Sequence, residues 1–198
     1  MFEILGLAGS GKSSTIKYIK QKNNNVKDTI KYKKIDYFIL SKIIKLIHIF
    51  LLTKNIRHIK EYITFLMMFK SIKKDNSQNI ICFDQGPLFI LTKLIIEIPQ
   101  QENFFLQEMR KIIPYYSEII YLNTPIDILA NRIDNRKQNH RIKGKKKDEK
   151  EKFLKNYIKL YNKVIIICSE YKVNVIEINT NINSIAEVGE LVIERFKK

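Results

Sequence analysis

The stretch that decides the fold reads Gly6-Leu7-Ala8-Gly9-Ser10-Gly11-Lys12-Ser13 and follows the pattern G-x-x-x-x-G-K-[ST]. It comes directly after the apolar run Phe2–Leu5, which is typical of a buried strand, and leads into helical spacing from Lys12 to about Gln21. Glycines let the backbone turn so that successive N–H groups point at phosphate oxygens, and the helix N-terminus adds partial positive charge. The motif in this context predicts a nucleoside triphosphate site.

Each loop position has a predicted role. Lys12 is expected to reach the β- and γ-phosphates, and the hydroxyl of Ser13 is expected to bind Mg²⁺. A dinucleotide-binding loop needs glycines at its first, third and sixth positions, whereas here they stand at the first, fourth and sixth. The residues predicted to bind the phosphates are Gly6, Ala8, Gly9, Ser10, Gly11, Lys12, Ser13 and Ser14.

Strand-like and helix-like segments alternate along the rest of the chain. Helices between strands are typical of a parallel sheet with crossover connections, so we predict one α/β domain over residues 1–198. Its fold would be the three-layer P-loop NTPase fold, with a parallel sheet of about five strands flanked by helices. The predicted strands are Phe2–Leu5, Val26–Lys33 (the weakest pattern), Asn79–Phe83, Glu118–Leu122 and Asn174–Ile178.

The helices between these strands follow from apolar spacing and from their start signals. Thr124 and Pro125 predict a helix with a capping hydroxyl and proline at its first position, and Ser184 with Glu187 predicts a capping box for the last helix. The other predicted helices are Asp36–Leu52, Ile56–Lys70, Pro87–Glu97, Gln101–Ile113 and Lys145–Tyr171.

Asp84 ends the apolar run Ile80–Phe83. At the carboxyl edge of a parallel sheet such a carboxylate faces the phosphate loop, where it holds Mg²⁺ or accepts a proton from an acceptor hydroxyl. The alternative is a surface carboxylate that caps the following helix. Gln85, which is not a glutamate, follows, and the guanine-reading motif Asn-Lys-x-Asp does not occur. These features disfavour a GTPase and, less strongly, a mechanical ATPase.

Three of the arginines gather within ten residues. Arg132 and Arg136 stand four apart, so both can project from one helix face, and Arg141 follows. Arginine forks onto phosphate oxygens, which suits a transition state with charge spread over the transferred group. We predict a closing lid at about residues 132–150, with Gly144 as a hinge. A solvated helix end followed by a basic loop is the alternative.

Composition gives weaker information. The formal net charge is +16, from 36 Lys and Arg against 20 Asp and Glu. Either a polyanionic partner or a genome rich in A and T explains it equally well, and nothing favours nucleic acid. The apolar run 37–52 is interrupted by Lys42, Lys45 and His48, so no transmembrane segment is predicted. Cys82 and Cys168 lie in apolar runs as expected of buried thiols, and we predict a cytoplasmic protein.

Together these motifs resemble the P-loop nucleoside and nucleoside monophosphate kinases, with a layout similar to that of thymidylate kinase. The resemblance covers nearly the whole chain at the level of element order. It implies ATP and Mg²⁺, with ATP phosphates on Gly6–Ser13 and Arg132 beside the adenine or the phosphates. It also implies that 179–183, including Asn181, forms the loop beside the base. The catalytic residues it implies are Lys12, Asp84, Arg132 and the lid arginines Arg136 and Arg141.

One difference from that family leaves open whether the acceptor already carries a phosphate. Thymidylate kinases carry Asp-Arg where this chain has Asp84-Gln85, and their arginine grips the phosphate of the acceptor. Gln85 is neutral and cannot clamp a dianion bidentately. Either the acceptor is an unphosphorylated hydroxyl compound, or Arg57 or Arg110 replaces the clamp.

The hypothesis is therefore an ATP-dependent small-molecule kinase that transfers the γ-phosphoryl group to a nucleoside, nucleotide or similar acceptor. A P-loop ATPase or regulatory nucleotide-binding protein that docks on a membrane surface or a protein partner is the rival. It is suggested by the apolar excess of the helices within 36–70, flanked by Lys42 and Lys45. Core packing or a homodimer interface through the same helices explains that excess as well.

Overall fold

The computed structural model describes residues 1–23, 25–27, 43–73, 80–137 and 139–196. A parallel sheet with the order β2-β3-β1-β4-β5 runs through its middle. Four of its strands have four to six residues, whereas β2 has two and pairs with β3 at the edge. The strands are β1 Phe2–Gly6, β2 Val26–Lys27, β3 Ile80–Phe83, β4 Glu118–Asn123 and β5 Asn174–Asn179.

Helices pack on both faces of this sheet, which gives three layers. Ile16 and Ile19 of the first helix and Val188 and Val192 of the last pack against one face. A larger core on the other face holds the remaining apolar helix faces. The described helices are α1 Lys12–Lys22, α2 Ile43–Thr53, α3 Ile56–Lys73, α4 Pro87–Glu97, α5 Glu102–Ile112, α6 Ile126–Asn135, α7 Lys147–Glu170 and α8 Ile185–Arg195.

This architecture confirms the predicted α/β class and parallel sheet. A sheet of about five strands was predicted, and the structure has four strands of four or more residues. The segment predicted as Val26–Lys33 forms only the two-residue strand β2 within the described residues. Residues 28–33 of that prediction, and 36–42 of the predicted helix Asp36–Leu52, lie outside the described residues. The helix predicted as Ile56–Lys70 extends to Lys73.

The two predicted helix starts turned out differently. Ser184 and Glu187 form the capping box, with reciprocal bonds of 2.6 and 3.2 Å between backbone N–H groups and side-chain oxygens. The prediction for Thr124 was wrong, because its hydroxyl lies 2.5 Å from the hydroxyl of Thr180 and does not cap α6. The Thr124 hydroxyl therefore has its partner in the turn after β5 and not in the first turn of α6. Cys82 and Cys168 are buried free thiols, as predicted.

No helix in the described part of the chain is long and apolar enough to cross a membrane.

Candidate active site

The predicted phosphate loop connects the end of β1 at Gly6 to the start of α1 at Lys12. Gly9 and Gly11 have φ angles of 87° and 95°, which side chains with a Cβ atom rarely adopt. The loop and the first turn of α1 line a cavity of about 640 Å³. Ser10 does not line it, because this side chain is buried beneath the loop and its hydroxyl has no partner among the described residues.

Lys12 lies inside its own loop. Its ammonium donates to the carbonyl oxygens of Gly6 at 2.6 Å and Leu7 at 3.1 Å, and it lies 5.9 Å from the ring centroid of Phe89. Burial lowers the pKa of Lys12 to about 8, with a smaller contribution from the charge of Arg136, while the carboxylate of Asp84 opposes the shift.

Ser13 and Asp84, which are far apart in the sequence, meet at the mouth of the loop. The hydroxyl of Ser13 donates to Oδ2 of Asp84 at 2.6 Å. Oδ1 of Asp84 is buried and has no hydrogen-bond partner among the described residues. Asp84 does not cap the following helix, because Gly86 occupies the N-cap of α4 and the first-turn N–H groups of Leu88 and Phe89 donate to Glu3. The structure thus places Asp84 against Ser13 of the phosphate loop and not at the helix cap, although Asp84 itself does not line the cavity.

Arg132 joins the phosphate loop to the turn after β5. Its guanidinium donates to the carbonyl oxygens of Gly9 at 3.3 Å and Thr180 at 3.0 Å, and to the hydroxyl of Thr180 at 3.3 Å. Asn181, next in that turn, is exposed and does not line the cavity. The structure therefore places Arg132 beside the loop and leaves Asn181 at the surface.

The two predicted lid arginines separate. Arg136 follows the last residue of α6, lines the cavity and acts on the pKa of Lys12. Arg141 lines the other end, where it donates to Glu97 at 3.0 Å and to the hydroxyl of Tyr157 at 2.7 Å. Glu97 stands eight residues after Phe89 on α4, which at 1.5 Å per residue is about 12 Å along the helix. Arg141 is therefore engaged far from Lys12.

The segment between α6 and α7 is held by polar contacts. Asp134 of α6 accepts from the ammonium of Lys150 at 2.5 Å and from the backbone N–H of Gly144 at 3.2 Å. These contacts, together with the charges of Lys150 and Lys143, lower the pKa of Asp134. Gly144 has a φ angle of 73°, consistent with a sharp turn there.

The far end of the cavity contains a network of alternating charges, which we call the Glu97 network. Glu97 lies 3.9 Å from Arg57, 3.1 Å from His58 and 3.0 Å from Arg141. Glu61 continues the network, because it accepts from Arg57 at 3.0 Å and from Lys93. Three elements (α3, α4 and the segment after α6) thus meet at two carboxylates.

The arginines proposed to replace the missing acceptor clamp differ in position. Arg57 lines the cavity within the Glu97 network. Arg110 does not line it, and its guanidinium lies 3.5 Å from Glu170 on α7. Arg110 is therefore ruled out as a substitute clamp by its position.

Sequence reasoning missed Glu3, which is fully buried on β1. Its carboxyl accepts from the backbone N–H groups of Leu88 at 3.2 Å and Phe89 at 2.8 Å and from the hydroxyl of Tyr116. Burial raises the pKa of Glu3 to about 7, although these hydrogen bonds oppose the shift. Glu3 thereby fixes the first turn of α4 and the position of Phe89. A charged residue inside the apolar run Phe2–Leu5 was the available signal.

No protein-family model and no curated protein matches the sequence. Solved structures match over almost their whole length. Deoxyadenosine kinase from M. mycoides with bound dATP has a TM-score of 0.60 at 15% identity, covering 100% of this chain and 99% of that chain. The same enzyme with bound dCTP gives 0.58 at 16% identity and the same coverage. Shikimate kinase from Bacteroides thetaiotaomicron gives 0.54 at 15% identity, covering 100% and 98%.

The chain has the fold of the P-loop nucleoside and monophosphate kinases. The resemblance inferred from the sequence is confirmed at the level of fold, with the strand carrying the phosphate loop in the middle of the sheet. At 15–16% identity, this similarity shows the fold and not the activity.

Proposed function

We propose that the protein is an ATP-dependent small-molecule kinase that transfers the γ-phosphoryl group of ATP to a small acceptor. The observation that carries this proposal is the shape of the cavity. It begins at the phosphate loop and continues past Phe89 to Arg57 and Glu97 on α3 and α4. A hydrolase needs room only for water beside the γ-phosphate, whereas this cavity continues about 12 Å along α4 beyond Phe89. Proteins of the same fold that are kinases support the proposal.

The residues at the loop fit ATP and Mg²⁺. Loop glycines with positive φ let backbone N–H groups face a triphosphate, and the start of α1 adds its dipole. Ser13 and Asp84 supply the oxygen donors that Mg²⁺ prefers, and Oδ1 of Asp84 still lacks a partner among the described residues. Mg²⁺ usually takes one or two protein oxygens and completes its sphere with phosphates and water, so these two residues suffice.

Positioning and charge do most of the chemistry in phosphoryl transfer. The acceptor oxygen bonds to the γ-phosphorus, the bridging bond to the β-phosphate breaks, and ADP leaves with the electron pair. Lys12 and Arg136 neutralise charge on the transferred group, and Arg132 holds the loop against the turn after β5. Asp84 orients the acceptor and accepts its proton. Bound Mg²⁺ would draw charge from the phosphate oxygens.

A regulatory ATPase docked on a surface is the second candidate, and one observation favours it. Four apolar side chains at α2 and the start of α3 are more than half exposed: Ile44 at 81%, Leu51 at 68%, Ile56 at 62% and Ile47 at 53%. An exposed apolar patch of this kind often marks a contact with a membrane, a partner or a second copy of the chain. The homodimer through 36–70 remains a prediction on the same grounds.

A screen for ADP release separates the two candidates. The protein is incubated with ATP, Mg²⁺ and single acceptors from three groups: nucleosides, nucleoside monophosphates and sugars. A kinase releases ADP faster with one of them, and Lys12→Ala should lower that rate by on the order of 10³ because it removes the central positive charge of the loop. Lys17→Ala, an exposed lysine on the same helix, is the matched control.

If no acceptor accelerates ADP release, the kinase proposal is wrong. Salt-dependent sedimentation with anionic vesicles would then support the docked ATPase.

A further inference from the structure

Glu3 and the phosphate loop belong to the same strand. Glu3 lies on β1, three residues before Gly6, and its side chain is fully buried. β1 stands between β3 and β4 in the middle of the sheet. A group on this strand is therefore fixed relative to the phosphates that the loop is proposed to bind.

The helix that Glu3 contacts supplies one wall of the cavity, which we call the α4 wall. Its members stand four residues apart and so follow one side of the helix and the turn before it: Gln85, Phe89, Lys93 and Glu97. The ring centroid of Phe89 lies 5.9 Å from the ammonium of Lys12, so the wall begins beside the loop. In the proposed kinase this wall faces the acceptor, and its position decides how the acceptor is aligned with the γ-phosphate.

The first turn of α4 depends on Glu3 for its hydrogen bonds. Gly86 at the N-cap has no side chain, and the first turn contains no acidic residue. The carboxyl oxygens of Glu3 accept from the backbone N–H groups of Leu88 at 3.2 Å and Phe89 at 2.8 Å. A carboxylate at a helix N-terminus also interacts favourably with the helix dipole. Glu3 thus caps α4 from another element of the fold.

Gly86 leaves room for this contact. A Cβ atom at this position would lie 2.5 Å from Oε2 of Glu3 and 2.7 Å from Cβ of Phe83. The φ angle of Gly86 is −81°, which residues with side chains adopt freely. Close approach of its neighbours, and not backbone conformation, is therefore what requires glycine here.

The partners of Glu3 fit its ionised form. Besides the two N–H groups of α4, the backbone of Gly86 and the hydroxyl of Tyr116 hydrogen-bond to the carboxyl. An N–H group only donates, so a protonated carboxyl finds an acceptor among these partners only in the oxygen of Tyr116. Protonation therefore reverses or removes one of these bonds, and it weakens the hold on the first turn of α4.

Glu3 changes charge in the neutral pH range. Burial raises the pKa of Glu3 to about 7, against the opposing effect of its hydrogen bonds. The titratable groups whose charge acts on it are Tyr116, before β4, and Tyr161 and Cys168 on α7. Burial raises the pKa of each of these three groups, so they are neutral near pH 7. Of these four side chains, Glu3 is the one that titrates there.

We propose that Glu3 is a positioning residue for phosphoryl transfer, whose carboxylate holds the α4 wall in line with the phosphate loop. The ionised form holds the wall and the protonated form loosens it, so use of the acceptor follows the charge on Glu3. Glu3 itself does not line the cavity and acts through α4. This inference rests on the proposed kinase function and adds a response to pH at the same site.

The first experiment follows the contact itself and needs no acceptor. The amide proton shifts of Leu88 and Phe89 are measured by NMR in the full chain between pH 5 and pH 9. Both should titrate near pH 7 in the wild type and lack this step in Glu3→Gln, whose side chain stays neutral. Tyr116→Phe removes a hydrogen bond that lowers the pKa of Glu3, so the midpoint should rise. Shifts without this step in the wild type would overturn the inference.

The second experiment follows the reaction at pH 6 and pH 8. ADP release is measured with ATP and the acceptor selected by the screen above, starting from adenosine, adenosine monophosphate and glucose. At pH 8, kcat/KM for the acceptor should be about tenfold higher in the wild type than in Glu3→Gln, because displacement of the wall misaligns the acceptor. At pH 6 the two proteins should be nearly equal, and ATP affinity should be the same in both. Glu177→Gln, which removes an exposed strand carboxylate bonded to Asn123, is the matched control.

The outcomes separate this inference from the function it rests on. If an acceptor is used but the ratio of wild type to Glu3→Gln is the same at both pH values, or ATP affinity falls equally, Glu3 is purely structural and the inference is overturned while the kinase proposal stands. If no acceptor accelerates ADP release, the kinase proposal is wrong and the inference falls with it, whatever the amide shifts show. If Glu3→Gln does not fold, Tyr116→Phe decides, because the pH at which acceptor kcat/KM rises must then shift upward.

Discussion

The phosphate loop and the Glu97 network, at opposite ends of one cavity, differ in how far apart their residues stand in the sequence. The loop is one uninterrupted segment, Gly6–Ser13, whose backbone N–H groups are most of the proposed phosphate-binding groups. The network joins Arg57, Glu97 and Arg141, which come from three separate elements. A site made of backbone can be read from a local motif, whereas a site made of side chains from packed helices appears only in the folded structure.

Asp84 lies at the phosphate-loop end, and its substitution should have the largest effect on activity. Asp84→Asn keeps the shape of the side chain but removes the charge that orients the acceptor and accepts its proton. We expect kcat to fall by on the order of 10³ while ATP affinity changes little. Steady-state rates and ATP binding, measured separately, check this. A loss of ATP affinity with unchanged turnover would show that Asp84 serves binding alone.

Glu3 influences both ends of the cavity, because its hydrogen bonds hold the start of α4. The folded chain holds a proton on Glu3 up to about pH 7, whereas the unfolded chain releases it near pH 4.5. Stability due to the protonated carboxyl is therefore complete below about pH 4.5 and is lost as the pH rises to about 7. One pKa unit corresponds to 1.36 kcal/mol, so the loss is roughly 3 kcal/mol.

Urea unfolding of the wild type and of Glu3→Gln at pH 4.5 and pH 7.5 measures this loss. The neutral amide of the variant does not titrate, so the free energy of unfolding of the wild type should fall relative to the variant between the two pH values. An equal pH dependence of the two proteins would mean that folding does not shift the pKa of Glu3.

A matched pair of arginine variants tests whether one end of the cavity binds ATP and the other binds the acceptor. Arg132→Met should weaken ATP binding about tenfold, because Arg132 bonds to the loop at Gly9, and should leave acceptor KM unchanged. Arg141→Met should raise acceptor KM by a similar factor and leave ATP binding unchanged, because its partners are Glu97 and Tyr157. If Arg141→Met weakens ATP binding instead, the lid position predicted from sequence is the functional one.

The smallest expected effect concerns Lys12 and pH. Burial lowers the pKa of Lys12 to about 8, so its positive charge is lost as the pH rises through that value. ATP affinity should fall severalfold between pH 7.5 and pH 9, since phosphate then has to restore the proton. Calorimetry at several pH values measures the slope, which should disappear in Lys12→Met.

Local sequence patterns were enough to predict the phosphate loop and the main strands and helices around it. The phosphate loop, the strand ending at Asp84, the helix Pro87–Glu97 and the capping box at Ser184 all lie in short windows of sequence and were found there. Their physical causes are local as well, because turn geometry, apolar spacing and helix capping act between residues a few positions apart.

The remaining parts depend on contacts across the fold. Thr124 had the composition of a helix cap, yet its hydroxyl bonds to Thr180 on the turn after β5. Arg141 stood close to Arg136 in sequence, yet a carboxylate on α4 holds it at the other end of the cavity. Glu3 contradicted the apolar pattern of its strand, and its partners at 88, 89 and 116 are distant in the chain. None of these pairings has a local signature.

The carbonyl oxygen of Gly6 connects Lys12 to a tyrosine side chain, which is fluorescent. It accepts from Lys12 and also from the hydroxyl of Tyr161, at 3.3 Å. Tyr161 lies in a tyrosine cluster, with ring centroids 5.7 Å from Tyr121 and 6.3 Å from Tyr157. The chain has no tryptophan, so tyrosine emission is not masked. We expect a bound phosphate to draw Lys12 away from Gly6 and to change the hydrogen bond of Tyr161, so intrinsic tyrosine fluorescence should report nucleotide binding without a label.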